Sequence, residues 1–182
     1  KATAAYDPRT GNEIWRVVHG GMNSPYRPVV GHGLVFTASS DGGDGLLAVR
    51  PDGTGNVTKD HVAWKFKAGV PNRSSFLVVG DDLLLVNSGG IATCVGIADG
   101  KEKNKVRLES RGANFWASPI VAEGRMYAFD DAGNGFVLSA DEKLSVIAAN
   151  KLDAGGRASP AAAGHAIYHR TFTHLYRIEE AK

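Results

Sequence analysis

The stretch Ala5-Tyr6-Asp7-Pro8-Arg9-Thr10-Gly11-Asn12-Glu13-Ile14-Trp15 decides the fold. It joins a small residue, an Asp-Pro turn, a Thr-Gly turn and a tryptophan at fixed offsets, and parts of it return further along the chain. Repetition at a period of roughly forty to fifty residues is the signature of a propeller or a solenoid.

Working outward, a strand that opens on proline and runs through glycine to a large apolar residue recurs. The copies are Pro28 to Phe36, Pro119 to Tyr127 and Pro160 to Tyr168, while Phe76 to Leu84 carries phenylalanine in place of the proline. The intervals are 48 residues (28 to 76), 43 (76 to 119) and 41 (119 to 160). Eight places on, each copy holds a large apolar side chain: Phe36, Leu84, Tyr127 and Tyr168.

Each unit holds the same succession of short strands. Strand A is a run such as Pro28 to Val30 or Pro119 to Val121, and a glycine turn leads to strand B, Leu34 to Thr37 or Arg125 to Phe129. A polar loop leads to strand C, as in Leu46 to Val49, Ala92 to Val95, Gly135 to Leu138 and His174 to Ile178. Strand D carries Trp15 in one copy and Trp64 in another. Strands of this length, punctuated by Gly, Asn and Asp, build antiparallel sheets, and no window keeps a helical period.

The expected fold class is therefore all-β, a propeller of four-stranded antiparallel blades, WD40-like in plan. About four blades are expected in a single region over residues 1–182, at 24–66, 71–109, 113–150 and 156–180 plus 3–17. The last unit lacks strand D, so the N-terminal strand is expected to complete that blade and remove two exposed edges. Four blades closed on themselves would have to twist and tilt strongly, so half of a seven- or eight-bladed ring is the expectation. Two half-rings pairing through open edges is a third arrangement.

Composition narrows the class. A chain of 182 residues, 43% apolar, can bury a core as one domain. A formal net charge of +2 with scattered Lys and Arg gives no footprint for nucleic acid. No apolar run is long enough to span a membrane as a helix. The lone Cys94 excludes an internal disulfide and, within Ile91 to Gly96, reads as a buried inert thiol. The N-terminus begins Lys1-Ala2-Thr3, with neither methionine nor a signal segment, so a preceding portion is expected to have been removed.

The Ala-x-Asp-x-x-Thr-Gly-x-x-x-Trp spacing, matched at Ala5, Asp7, Thr10, Gly11 and Trp15, resembles the tryptophan-docking repeat of pyrroloquinoline quinone (PQQ)-like propellers. In that family the tryptophan of one blade lies against the next, and a flat indole suits the wedge between twisted sheets. Later copies are worn. Ala48 to Gly53 is followed by an insertion before Trp64, the tryptophan position after Asp99-Gly100 falls on Asn104, and after Asp141 both glycine and tryptophan are absent. The insertion, Arg50 to Thr58, and the ending Arg170 to Ile178 resemble the planctomycete-type bacterial members, of which this would be a C-terminal portion. The resemblance implies a periplasmic or otherwise exported protein. The blades also resemble the propeller lipoproteins of the outer-membrane β-barrel assembly machinery, which implies a protein partner bound on a flat face or along a strand edge.

The resemblance leaves two functions open. One is a non-catalytic scaffold for protein interaction or ligand binding. The other is part of a quinoprotein-like oxidoreductase whose cofactor-binding half lies elsewhere. Against the enzyme stand the short length, the absence of a vicinal Cys pair and the absence of a Cys-x-x-Cys-His haem motif. No cofactor is expected, PQQ and calcium included, and no residue is assigned a catalytic role. The Asp41 to Gly45 and Asp130 to Gly135 segments lack the full oxygen series of a calcium loop and read as turns. His169 and His174 lack further zinc ligands. The candidate ligand face comes from the D-to-A and B-to-C loops: Tyr26, Arg27, Asn72, Arg73, Asn114, Trp116, Arg157 and Arg170, with Asn87, Asp130 and Asp131 beside them. Guanidinium forks, amides and an aromatic plane suit an anionic or sugar-like ligand. The same residues would also serve simply to satisfy loop backbones around a wet channel.

Overall fold

A computed structural model of the chain describes residues 1–21 and 25–180, so residue 24, the expected start of the first blade, lies outside it. The strands are β1 (Ala2–Tyr6), β2 (Glu13–Val18), β3 (Val29–Gly31), β4 (Leu34–Ser39), β5 (Gly45–Val49), β6 (Gly55–Asn56), β7 (Val62–Phe66), β8 (Leu77–Val79) and β9 (Asp82–Val86). They continue as β10 (Ile91–Gly96), β11 (Glu102–Arg107), β12 (Ile120–Ala122), β13 (Arg125–Phe129), β14 (Asn134–Ser139), β15 (Val146–Lys151), β16 (Ala161–Ala163), β17 (Ala166–Arg170) and β18 (Leu175–Ile178). Three antiparallel four-stranded sheets result, β3-β4-β5-β7, β8-β9-β10-β11 and β12-β13-β14-β15. They are flanked by the three-stranded sheets β1-β2-β6 and β16-β17-β18. The propeller-type blade is thus present as expected.

Local chemistry explains the hairpins. At the A-to-B turns, His32-Gly33 and Glu123-Gly124 both take positive φ, at 51° and 73°, then 49° and 70°. Two consecutive left-handed residues make the turn whose twist matches that of the flanking strands. Every C-to-D pairing with a fourth strand or its equivalent slips register at one place: Ala5/Tyr6, Ala48/Val49, Cys94/Val95 and Val137/Leu138. Opposite the residue before the slip stand Trp15, Trp64, Asn104 and Ala148 in turn. The docking position therefore fades from tryptophan through asparagine to alanine along the chain.

The cores lie between consecutive sheets. Trp15 and Val17 of β2 pack with Leu47 and Val49 of β5 and with Val57. Phe36, Leu46 and Phe66 of the first complete sheet meet Phe76, Leu83 and Leu85 of the second. Leu84, Ala92 and Cys94 of the second meet Met126, Phe136 and Leu138 of the third. Cys94 is fully buried, and burial followed by the neighbouring Asp82 pushes its thiol up to about 12, which keeps it a thiol at neutral pH. Trp64 lies across the next gap, its indole N–H donating to the Ile97 carbonyl at 2.8 Å. A Cβ on Gly100 would stand 2.6 Å from that ring, so only glycine lets the indole seat there. Asn104, at the equivalent place one blade on, donates its amide to the Lys143 carbonyl at 2.7 Å, keeping the polar link and losing the apolar plate.

One expectation is corrected. The N-terminal strand does not complete the last blade; β1 and β2 form a hairpin of their own, seated against the first complete sheet and joined in parallel by β6. The register slip marks β1 as a C strand and β2 as a D strand. The last sheet already ends in its own C strand, β18 paired to β17, so the hairpin would bring it a second C strand. The described residues thus form an open arc, and not a closed four-bladed ring.

A second repeat-borne device joins the inner strands. The Ser75 hydroxyl accepts from the Arg27 backbone N–H at 3.0 Å, Ser118 from Ser75 at 2.9 Å and Ser159 from Ser118 at 2.9 Å. Each of these residues directly precedes the aligned Pro28, Phe76, Pro119 or Pro160, so one side chain per blade ties it to the one before. Ser118→Ala removes the acceptor for the partly buried Ser75 N–H and is expected to cost about 1 kcal/mol. Urea unfolding monitored by circular dichroism would show this as a lowered midpoint at unchanged slope.

Candidate functional site

The D-to-A loops of three consecutive units bring Arg73, Trp116 and Arg157 together. Each lies three residues before the aligned inner-strand start, at Phe76, Pro119 and Pro160, so a single repeat position supplies all three. The Arg73 guanidinium carbon stands 5.5 Å from the centroid of the Trp116 ring and that of Arg157 stands 5.4 Å from it. The two cations are thus no more than about 11 Å apart across one indole, within the range of cation–π attraction. Both arginines are exposed and Trp116 is half-buried.

Asp131, on the B-to-C turn of the third complete sheet, fixes the indole. Its carboxylate accepts the Trp116 indole N–H and the Asn114 backbone N–H, each at 2.8 Å, while its own N–H donates to the Asn114 carbonyl at 2.8 Å. Burial pushes the Asp131 carboxyl up, but the hydrogen bonds from Asn114 and Trp116, with Arg157 nearby, outweigh it and hold the group below the ordinary carboxylate range. It therefore stays ionised at neutral pH. Beside it opens a cleft of about 710 Å³ lined by Arg111, Asn114, Asp131, Phe136 and Lys151 among others.

The other expected face residues do not join this cluster. Tyr26 is a correction: it is 6% exposed, packs in the core with Phe76 and donates its hydroxyl to the Pro71 carbonyl. Arg27 lies on the groove between the first two inner strands, with Phe76 and Val78. Asn72 faces a separate hollow of about 330 Å³ with Asp41 and Lys67. Arg170 is exposed at the end of β17, its carbonyl close beneath Gly156. Asn87 caps its own turn, its side-chain oxygen accepting from Ile91 N–H at 2.9 Å. Asp130 is spent likewise, accepting the Ala132 and Asn134 backbone N–H groups at 3.0 and 2.8 Å. Of the motif residues, Asp7 accepts the Arg9 N–H at 2.8 Å and Thr10 the Asn12 N–H at 3.3 Å, while Gly11 turns the chain at φ 74°.

His169 and His174 sit in different surroundings. His174 is exposed and shares a 2.8 Å hydrogen bond with Thr173. His169 is buried, stacked on Phe129 with centroids 4.0 Å apart, and neither ring nitrogen has a hydrogen-bond partner. Burial lowers its pKa from the ordinary 6.5. The unfolded chain therefore binds this proton more readily than the folded one, so stability is full above about pH 6.5 and falls as pH drops from there through the folded value. Thermal unfolding between pH 7.5 and 5 is expected to show a declining midpoint whose slope is reduced in His169→Phe.

A family model described as outer membrane protein assembly factor BamB matches residues 2–155. The chain belongs to the BamB family of PQQ-like repeat proteins. The outer membrane protein assembly factor BamB of Marinobacter adhaerens is 28% identical over 131 residues, which is 71% of this chain and 30% of that protein. Among solved structures, BamB from Moraxella catarrhalis superposes with a TM-score of 0.69 at 13% identity, over 93% of this chain and 48% of that one. The computationally designed Ika8 protein gives 0.67 at 11% identity, over 90% and 47%. This BamB-family chain thus spans about half or less of the proteins it matches.

Within the BamB-family arc, two features escaped a reading of the sequence. The serines before the inner strands, Ser75, Ser118 and Ser159, carry the 43 and 41 spacing one place before the aligned Phe76, Pro119 and Pro160, a signal visible in that column of the repeat. Arg111 and Lys151 of the cleft come from a loop and an outer strand that nothing in the sequence places side by side.

Proposed function

We propose that this BamB-family chain is a non-catalytic scaffold that binds a protein partner outside the cytoplasm, using the face built by its D-to-A loops. The observation that carries the reading is the row Arg73, Trp116 and Arg157, three exposed or half-exposed recognition side chains delivered by one repeat position beside an open cleft. Arginine and tryptophan are the side chains most enriched where binding energy concentrates at protein interfaces. The matched relative's role as an outer membrane protein assembly factor points the same way.

The donor set of this face fits PQQ with a calcium ion poorly. The Asp130 oxygens are engaged by their own turn and those of Asp131 by Trp116 and Asn114, and Cys94 lies inside the core. That supports a scaffold over a quinoprotein fragment. The test is dye reduction by the purified chain after addition of PQQ and Ca²⁺ with an alcohol or sugar as donor. No turnover above the protein-free blank is expected, and turnover dependent on both additions would overturn the reading.

A further inference from the structure

We propose that Arg73, Trp116 and Arg157 form a binding site for an extended acidic peptide segment bearing two carboxylates two residues apart, on one face of the peptide. This rests on the scaffold reading and names the chemistry of what the face takes.

The two guanidiniums are the anchors. Among the described residues neither makes an ion pair, whereas other basic side chains, such as Arg16, Lys65, Lys101, Lys103 and Arg177, lie against carboxylates. Cation–π contact with the Trp116 ring holds each cation in place. The N–H fork at the rim of the guanidinium is left for a ligand, and its geometry matches a carboxylate. Because the side chains are already positioned, less rotamer freedom is lost when the ligand arrives.

Spacing selects the ligand. An extended chain advances about 3.3 Å per residue and turns alternate side chains to the same face, so same-face carboxylates two residues apart stand about 7 Å from one another, inside the limit set by the two cations. The two guanidinium carbons lie no more than about 11 Å apart, because they are 5.5 and 5.4 Å from a common centroid. The half-buried indole that both cations contact is left to meet the residue between.

Charge decides between a peptide and a nucleic acid. Asp131 sits ionised beside the row, and Glu109 lines the adjoining cleft. Those carboxylates would repel a continuous phosphate track, and the chain carries a formal charge of only +2. A peptide with two carboxylates brings less negative charge past these acids than a continuous phosphate track does.

The experiment is fluorescence anisotropy with a fluorescein-labelled ten-residue Gly/Ser peptide holding two Glu residues two apart, and its Gln counterpart, added to the whole chain at low salt. The Glu peptide is expected to bind and the Gln peptide not to. Arg73→Gln and Arg157→Gln should each weaken binding about tenfold, Arg73→Lys and Arg157→Lys less, and 0.5 M salt should abolish it. Both arginines are exposed, and unchanged unfolding midpoints would show the variants folded. Binding that survives in the Arg73→Gln/Arg157→Gln double variant, or no binding of the Glu peptide, would overturn the proposal. So would a single-stranded oligonucleotide that binds the chain more tightly than the peptide does. PQQ-dependent dye reduction strikes the scaffold reading itself, whereas Glu-peptide binding unchanged in the Gln variants strikes this proposal alone.

Discussion

Trp15→Ala is expected to destabilise the chain by about 3–5 kcal/mol, the range for losing a large aromatic side chain from a packed core. Trp15 is 4% exposed and closes the gap between the N-terminal hairpin and the first complete sheet, against Val17, Leu47, Val49 and Val57. Leu47 and Val49 belong to β5, which is held on both sides by β4 and β7 and cannot collapse into the space. Globular domains hold about 5–15 kcal/mol in all, so the loss takes a large share. At this chain length it lowers the thermal midpoint by roughly 6–20 °C. Trp64→Ala should cost less, since Trp64 is only half-buried, and Asn104→Ala less again, since a single amide link is lost. Calorimetry on the three variants would test the order; equal losses at all three would show that the docking position does not fade along the chain.

Gly155→Ala is expected to be nearly as severe for a different reason. A Cβ on Gly155 would lie 1.8 Å from the Asp131 carbonyl oxygen and 2.6 Å from its carbon, backbone atoms that cannot rotate away. Either the loop before the last sheet or the turn carrying Asp131 must move. Overpacking of this kind costs about 1–3 kcal/mol, and more where backbone meets backbone. The displacement reaches the candidate site directly, because Asp131 orients Trp116 and Asn114 and Arg157 follows Gly155 by two residues. A lowered unfolding midpoint together with a changed Trp116 emission spectrum is the expected result. A lowered midpoint with unchanged emission would mean that the strain stays in the loop.

Most of the strand plan could be read before any coordinates, because propeller blades repeat a local pattern. The large apolar residue eight places after each aligned start falls on a second strand in every unit, and Asn104 stands where the spacing placed the missing tryptophan. What failed was pairing between distant segments. Thr3 to Val17 reads as a C-to-D segment, but only the ladders show that it pairs as a hairpin of its own and does not join the last sheet. The candidate face is partly legible: the D-to-A loops put Arg73, Trp116 and Arg157 on one face, but among eight or more candidates only the structure singles out these three as being in contact. Tyr26 looked like a surface aromatic beside Arg27. Its burial depends on Phe76 and on the Pro71 carbonyl, which belong to the next blade and its loop and leave no mark in the local sequence.

The central claim is that tryptophan does two different jobs in this chain, as a wedge between sheets at Trp15 and Trp64 and as part of a recognition face at Trp116. The ¹H–¹⁵N spectrum of the three indole groups, titrated with the two-glutamate peptide and followed by hydrogen exchange, tests it most directly. The Trp116 signal is expected to move on titration while those of Trp15 and Trp64 stay fixed and exchange only as slowly as the chain unfolds. A stationary Trp116 signal, or rapid exchange at Trp15, would contradict the claim.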